Sequence, residues 1–354
     1  MFLVRRLMQG ILILWGTVTV VFFIFHALPS DPARLLLGQR SDLSTEMAIR
    51  KELGLDLPVW KQYLLYLNDL SFLGIGSKDE TSHFYKAQSD MIFPFFTIHH
   101  TTVGLKKINF RTSYQNNKPV LAIIGEFFPA TFWLALFSML LASLLGIFLG
   151  TLAAYHKGSM LDKSILTLSI VGMSIPSFFA ALLMTYIFAF LLGHITGLPM
   201  FGSLYEIDLE TGKTYIAWSH LILPTLTLAI RPLAIFTSLT RNAVLDQLSM
   251  EYVLFARAKG LSERHVLFRH ILKNALNPIL TNVTGWFASL LAGAIFVEYV
   301  FDYKGIGFLI VQSLEKYDLP VLMGCLVFVS FLMILINIMM DILYHLLDPR
   351  IQLQ

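Results

Sequence analysis

The sequence predicts an all-α polytopic membrane protein with six transmembrane helices, both termini cytoplasmic, and a small extracytoplasmic insert after the first helix. Three observations predict it. Of the 354 residues 56% are hydrophobic and only 14% charged, whereas soluble domains carry about 25% charged residues, so lipid must cover much of the surface. Six long apolar stretches follow one another along the chain. Basic residues gather in the short loops on one side of them.

The first stretch, Leu7 to Leu28, holds no charged residue, and at about 1.5 Å per residue it extends about 33 Å, enough to cross the hydrocarbon core. Arg5 and Arg6 precede it, as in a signal peptide. The run is longer than the apolar part of such a peptide and no A-x-A cleavage site follows, so a retained helix is expected. Further stretches run from about Phe127 to Ala154, Ser164 to Gly193, His220 to Leu239, Ala275 to Phe301 and Val321 to Leu343. An even number places both termini on one side. Lys157 and Lys163 lie between the second and third stretches, and Arg241, Arg257, Lys259, Arg264, Arg269 and Lys273 between the fourth and fifth. Those loops therefore face the cytoplasm. The segment from Pro29 to Lys118 also holds eleven Lys and Arg, but loops beyond about 60 residues escape the charge rule. The expected division is an N-terminal helix (1–28), an extracytoplasmic segment with the insert (29–120), and a five-helix membrane domain (121–354) with its cytoplasmic loop at 240–274.

Prolines inside the stretches, Pro176, Pro224, Pro232 and Pro278, remove backbone donors. Freed carbonyls of this kind either line a watered path or sit at packing kinks, and both readings stand open. Acidic residues are nearly absent from the spans; Glu298 and Asp341 lie near span ends, which leaves an ion relay few carriers. A net charge of +3 does not point to nucleic acid. The single cysteine, Cys325, excludes an internal disulfide and a thiolate metal cluster.

The loop from Thr240 to Asn274 reads EYVLFARAKGLSERHVLFRHILKN from Glu251 onward. Helix formers run from Glu251 to Lys259, Gly260 supplies a left-handed stop, and Ser262 is expected to cap a second helix. Ala256 and Ala258 allow close approach. The second helix sets Val266, Leu267, Ile271 and Leu272 on one flank, with Arg264, His265 and Lys273 on others. Two short helices with small residues and a basic face are suited to docking.

The segment ARAKGL, followed by Asn274, Ala275 and Pro278, resembles the coupling loop of binding-protein-dependent ABC permeases, in the peptide and nickel branch. Ala256 and Gly260 match the family's small-residue signature, while Leu254 stands where more distant permeases carry glutamate. LPSDPARLLLG (28–38) and LGLDLPVWKQY (53–63) resemble the family's first extracytoplasmic segment; YKGIGFLIVQSLEKYDLPVLMG (303–324) and LLDPRI (346–351) resemble its closing signatures. The resemblance implies a subunit of the bacterial inner membrane, the first of two permeases. Its implied partners are a second, different permease, two cytoplasmic ATP-binding subunits and an extracytoplasmic substrate-binding protein. Short peptides are the favoured cargo, with nickel complexes or other small solutes behind. It implies coupling to the ATPases through Glu251, Ala256, Ala258, Lys259, Gly260 and Leu261. No cofactor is expected. The chain departs from the family between about Ser77 and Pro119, where an insert replaces a short connection; the alternation at Thr102 to Phe110 suits a strand or hairpin, and Ile92 to Phe96 suits the bilayer surface.

Arg231 is the one cation inside an expected span, and burial near a helix centre costs about 2.5–3.5 kcal/mol. It is expected either to line the translocation path, meeting a substrate carboxylate or Glu298, or to snorkel to the cytoplasmic headgroups. The pair His99 and His100, with His83 nearby, has poor ligand geometry in a strand, because neighbours point to opposite faces. ETGKT (210–214) lacks the first glycine of a phosphate loop, Ile207 standing at that position. The chain is thus read as no enzyme, its energy coming from partners. Two rivals share part of this reading: a secondary transporter, which calls for midplane carboxylates or inverted repeats, and an ABC exporter subunit of the same fold.

Overall fold

A computed structural model describes residues 2–27, 47, 50–51, 54–79, 84–208 and 210–347. The segment 28–38 and most of 346–351 lie outside the described residues. In chain order the elements are α1 (Phe2–Ala27), α2 (Val59–Leu70), β1 (Leu73–Ser77), α3 (Tyr85–Ser89), β2 (Met91–Ile98), β3 (Thr101–Lys106) and α4 (Val120–Tyr155). Then come α5 (Met160–Ser174), α6 (Ser177–Met184) with a π-helical continuation (Thr185–Leu191), the hairpin β4 (Tyr205–Ile207) and β5 (Thr214–Ile216), and α7 (Ser219–Leu248). After α8 (Glu251–Ala258), a single turn (Glu263–His265) and a π-helical stretch (Val266–Ile271) lead into α9 (Leu272–Gly293). The chain continues through α10 (Ile295–Val300), α11 (Ile306–Glu315) and α12 (Leu319–Leu347).

Among the described residues α1, α4, α7 and α12 are each long and apolar enough to cross a membrane. The third expected span is bent: α5 and Ser177–Leu191 meet at 109°, where Pro176 lacks the N–H that would continue the helix. The fifth is divided at Ala294 between α9 and α10. Pro224 and Pro232, by contrast, are buried inside an unbroken α7.

The chain is mostly helical, with short strands in the insert, where a strand or hairpin is expected, and before α7. β1, β3 and β2 form an antiparallel sheet in that order, and β4 pairs with β5. The sheet arises because Thr101–Lys106 alternates buried and exposed positions, the period of a half-covered strand, and because glycines at 74, 76 and 104 admit close neighbours. His99, with φ of +55°, and His100 make the turn between β2 and β3; His83 lies outside the described residues. ETGKT forms the β4–β5 turn, with Gly212 at φ +66°.

Two compact units are distinguished, each described by itself. In the first (1–126 and 309–331), Val18, Val21 and Phe22 of α1 pack with Tyr66 of α2 and with Met323 and Val327 of α12. A 2.7 Å hydrogen bond joins Thr19 Oγ1 to Tyr63 Oη, and His26 Nε2 meets Gln62 Oε1 at 3.0 Å. The sheet joins α2 through Asn68, whose Oδ1 accepts from Ile75 N–H at 2.7 Å and whose Nδ2 donates to Ile75 O at 3.0 Å. Lys106 is buried and donates to Asp69 O at 3.0 Å; burial lowers its pKa and raises that of Asp69, against the pull of Arg111 2.9 Å away. Asp318, before α12, accepts from Ser113 Oγ and from Tyr114 N–H.

The second unit (127–308 and 332–354) holds the largest core. Ala130, Leu134, Leu223, Phe236, Leu291, Val297 and Tyr303 are among its buried residues. Within it α4 and α7 approach closely. A Cβ on Gly146 would stand 2.7 Å from Phe236 Cβ, and one on Gly150 2.5 Å from Thr237 O. GIFLG (146–150) is a G-x-x-x-G pair, the spacing that lets two membrane helices touch backbone to backbone.

Candidate functional site

After α7 the first expected short helix forms as α8, whereas the second is a single turn and a π-helical stretch that run on into α9 without a break. α8 ends in a reciprocal cap: Gly260, in the left-handed region at φ +78°, donates to Arg257 O at 2.9 Å, and Leu261 N–H donates to Ala256 O at 3.4 Å. Ser262 takes the extended backbone that opens the next turn, and its carbonyl accepts from Val266 N–H at 3.0 Å; its side chain makes no cap. Arg257 bridges the glycine, its Nε 2.9 Å from Glu263 Oε1 and its Nη2 3.1 Å from Oε2. Tyr252 Oη donates to Gln247 Oε1 at 2.7 Å, which ties α8 to the end of α7.

Packing sorts the side chains into two sets. Val253, Ala256, Val266 and Ile271 are buried with Ala154, Val244 and Ala275, and Leu267 and Leu272 pack partly against them, so the expected apolar flank is the inner one. Ala256 therefore closes this chain's own core. Leu254 (68% exposed), Phe255 (65%) and Phe268 (65%) point outward, as do Glu251, Ala258, Lys259, Gly260 and Leu261. Soluble loops rarely hold three such large apolar residues in water without a partner. Beside them a groove of about 580 Å³ runs between Leu144, Phe148 and Tyr155 of α4 and Arg264, Leu267 and Phe268.

A cluster that the sequence reading missed anchors this element. Asp162 is buried at the start of α5. It receives Arg241 Nε at 2.6 Å, Arg241 Nη2 at 2.8 Å and Gly158 N–H at 2.9 Å, while Ser159 Oγ accepts from Asp162 N–H at 3.2 Å. Arg241 lies in the last two turns of α7, so this bidentate pair ties the α4–α5 loop to the helix that leads into α8. The spacing S-x-x-D before an apolar run is a legible start signal for α5; its partner, 79 residues on, is not.

Glu298 is buried in α10 and does not meet Arg231. Its Oε1 accepts from Thr131 Oγ1 at 2.7 Å and its Oε2 from Phe308 N–H at 3.1 Å, with Gly307 N–H also donating. Thr131 Oγ1 in turn accepts from Ile306 N–H at 2.7 Å, and Tyr303 Oη donates to Ala130 O at 3.0 Å. Gly305 and Gly307 have no room for a Cβ against this carboxylate. Thus YKGIGF wraps its backbone around Glu298, with amides taking the place of a cation. Arg231 is exposed on α7. Of the readings open to Arg231, the meeting with Glu298 is not formed: the donors that reach the carboxylate are Thr131, Gly307 and Phe308.

Comparison with known proteins bears on the same segments. The model of the binding-protein-dependent transport system inner membrane component matches residues 146–353, and the model of that family's N-terminal part matches residues 1–83. The chain belongs to this family. Among its relatives is the dipeptide transport system permease protein DppB of Alkalihalophilus pseudofirmus, 32% identical over 98% of both chains. The di/tripeptide transport system permease protein DppB of Pseudomonas aeruginosa is 33% identical over 100% of this chain and 99% of its own. The glutathione transport system permease protein GsiC of Escherichia coli is 32% identical over 99% and 98%. These relatives place the chain in the family's dipeptide and oligopeptide branch. A chain of the MetNI methionine ABC transporter, in inward-facing crystals, shares the fold with a TM-score of 0.51 at 16% identity, over 64% of this chain and 97% of its own. α8 and the turn that follows Gly260 lie within the first match; residues 84–145, with most of the insert, fall between the two.

Proposed function

We propose that this chain is a permease subunit of an ABC importer that carries short peptides across the bacterial inner membrane. ATP is hydrolysed by two cytoplasmic partner subunits, which seat on α8 and the turn after Gly260. A second permease completes the path, and an extracytoplasmic binding protein delivers the cargo. Six spans with both termini in the cytoplasm fit this role: α1, α4, the bent pair, α7, the divided α9–α10 and α12. The observation that carries the reading is the two-sided α8 element. Its inner face is fixed to α7 and α9 by Val253, Ala256, Val266 and Ile271, and its outer face offers Leu254, Phe255 and Leu261 without cover. An element held rigidly by its own chain and left apolar outside suits the transfer of a partner's motion to membrane helices. Peptide cargo is supported by the peptide-transport relatives rather than by any pocket geometry.

The test is a reconstituted transporter: this chain with its partner permease, ATP-binding subunits and binding protein in proteoliposomes. Leu254→Asp and Phe255→Asp should each release the ATP-binding subunits on purification and abolish ATP-driven dipeptide uptake, while the chain stays in the membrane at its normal level. Full uptake by both variants would remove the docking role.

A further inference from the structure

One face of the inserted sheet is apolar and largely bare, with Ser77 buried at its end. Cross-strand pairing aligns Leu73 with Leu105 and Phe93, Ile75 with Val103 and Phe96, and Ser77 with Thr101 and Ile98. No charged residue stands on that face. Leu73, Phe93, Phe96 and Ile98 are each more than half exposed, with Ile75 at 41% and Leu105 at 39%. The opposite face is covered: a Cβ on Gly74 would meet Lys106 and Asn68 of α2, and one on Gly76 would meet Gln88 of α3. Register shifts after Met91 and Pro94 also leave Ile92 and Phe95 exposed along the edge strand.

We propose that this face lies on the outer surface of the lipid bilayer, immersed at the boundary between headgroups and acyl chains. The inference rests on α1 crossing the membrane. Its position follows from α2, which docks on the last turns of α1 through Tyr63 and Gln62 and holds the sheet through Asn68. Gln62 and Asn68 are six residues apart, about 9 Å along a helix, and each interfacial zone adds about 5–8 Å to the hydrocarbon core. The sheet is therefore tethered at the level where α1 leaves the membrane. On α1 itself Val20, Phe23 and Ile24 are also about half exposed, as a helix facing lipid requires.

Charge supports lipid over a soluble partner. A protein that docks and leaves on each cycle would return this face to water, and contiguous apolar surface without charge is costly there. Membrane covers it permanently. Lys78 and Lys107 are exposed at the two ends of the strands, where interfacial lysines reach headgroup phosphates.

The full chain in nanodiscs of phosphatidylethanolamine and phosphatidylglycerol provides the test. Cys325 is fully buried, so spin label attaches to Phe93→Cys, Phe96→Cys and Ile98→Cys, with Glu210→Cys on the β4–β5 turn as the aqueous reference. The ratio of oxygen to aqueous nickel-chelate accessibility should be several-fold higher at 93, 96 and 98 than at 210. Ratios equal to that at 210 would overturn the proposal. Labels shielded from oxygen and chelate alike would also overturn it, because protein, either a partner or a second copy, would then cover the face.

Discussion

Gly260 separates what this chain needs from what its partner needs. Its φ of +78° lies in the left-handed region, and a Cβ placed there meets nothing within 4 Å in this chain. Gly260→Ala therefore costs only backbone strain, about 1–2 kcal/mol for an L-residue in that region. Such a cost shifts the population of the closed turn by about 5–30-fold. Gly260→Val adds β-branching and should cost more. Asparagine tolerates the left-handed region, so Gly260→Asn should keep the turn and its cap from Leu261 to Ala256. If the ATP-binding subunits close over this glycine, Asn and Val should both abolish dipeptide uptake in proteoliposomes, although Asn leaves the turn intact. Membrane abundance should be normal for both. If Asn supports full uptake while Val does not, the glycine serves conformation alone; if both support full uptake, α8 is not the coupling element and the reasoning fails.

The remaining predictions concern the scaffold behind that surface. Arg241→Leu leaves Asp162 buried without its cation and should destabilise the chain by about 3–5 kcal/mol, read as lost membrane abundance, whereas Arg241→Leu with Asp162→Leu should recover much of it; equal loss in both would show that the pair is not the cause. Gly150→Leu forces a side chain against Thr237 O and Thr240 and should cost about 1–3 kcal/mol or more, seen as a lower detergent melting temperature, with no change expected for Gly158→Ala beyond its turn strain. Glu298→Ala strands the Thr131, Gly307 and Phe308 donors at about 1–3 kcal/mol for each group left unsatisfied and should reduce abundance. Glu298→Gln retains one acceptor oxygen and a donor able to bond Thr131 Oγ1, and should stay closer to the parent in abundance and uptake. A Gln variant of normal stability and lost uptake would restore Glu298 to the translocation path.

Legibility followed the range of the interactions. The apolar stretches, the glycine-stopped α8 and the inner flank at Val266 and Ile271 could be read because each depends on residues within one or two turns. The bend at Pro176 is marked by the missing donor, whereas Pro224 and Pro232 give the same mark and sit inside one continuous helix, since packing against neighbours decides what a proline does in a membrane. Ala256 carried a small-residue signature, but small size serves an inner contact as well as an outer one, and only the packed structure shows it to be inner. A meeting of Arg231 with Glu298, one of the readings open from the sequence, rests on charge alone. Backbone amides at 307 and 308 can satisfy a carboxylate as a cation does, and no composition or period reveals which is used.

That substitution also explains how the closing signature works. YKGIGF needs glycine at 305 and 307 because a Cβ at either would strike Glu298 or its neighbours, and it needs Tyr303 because its hydroxyl closes the carbonyl of Ala130. Thr131 stands at the centre, donating to Glu298 and accepting from Ile306. Ala130 and Thr131 on one side and five residues between Glu298 and Gly307 on the other thus fix one crossing of α4 with the α10–α11 turn. Such a joint uses the buried carboxylate to organise the helices: three donors converge on it from both sides of the crossing, and each of them would be left unpaired if the crossing opened.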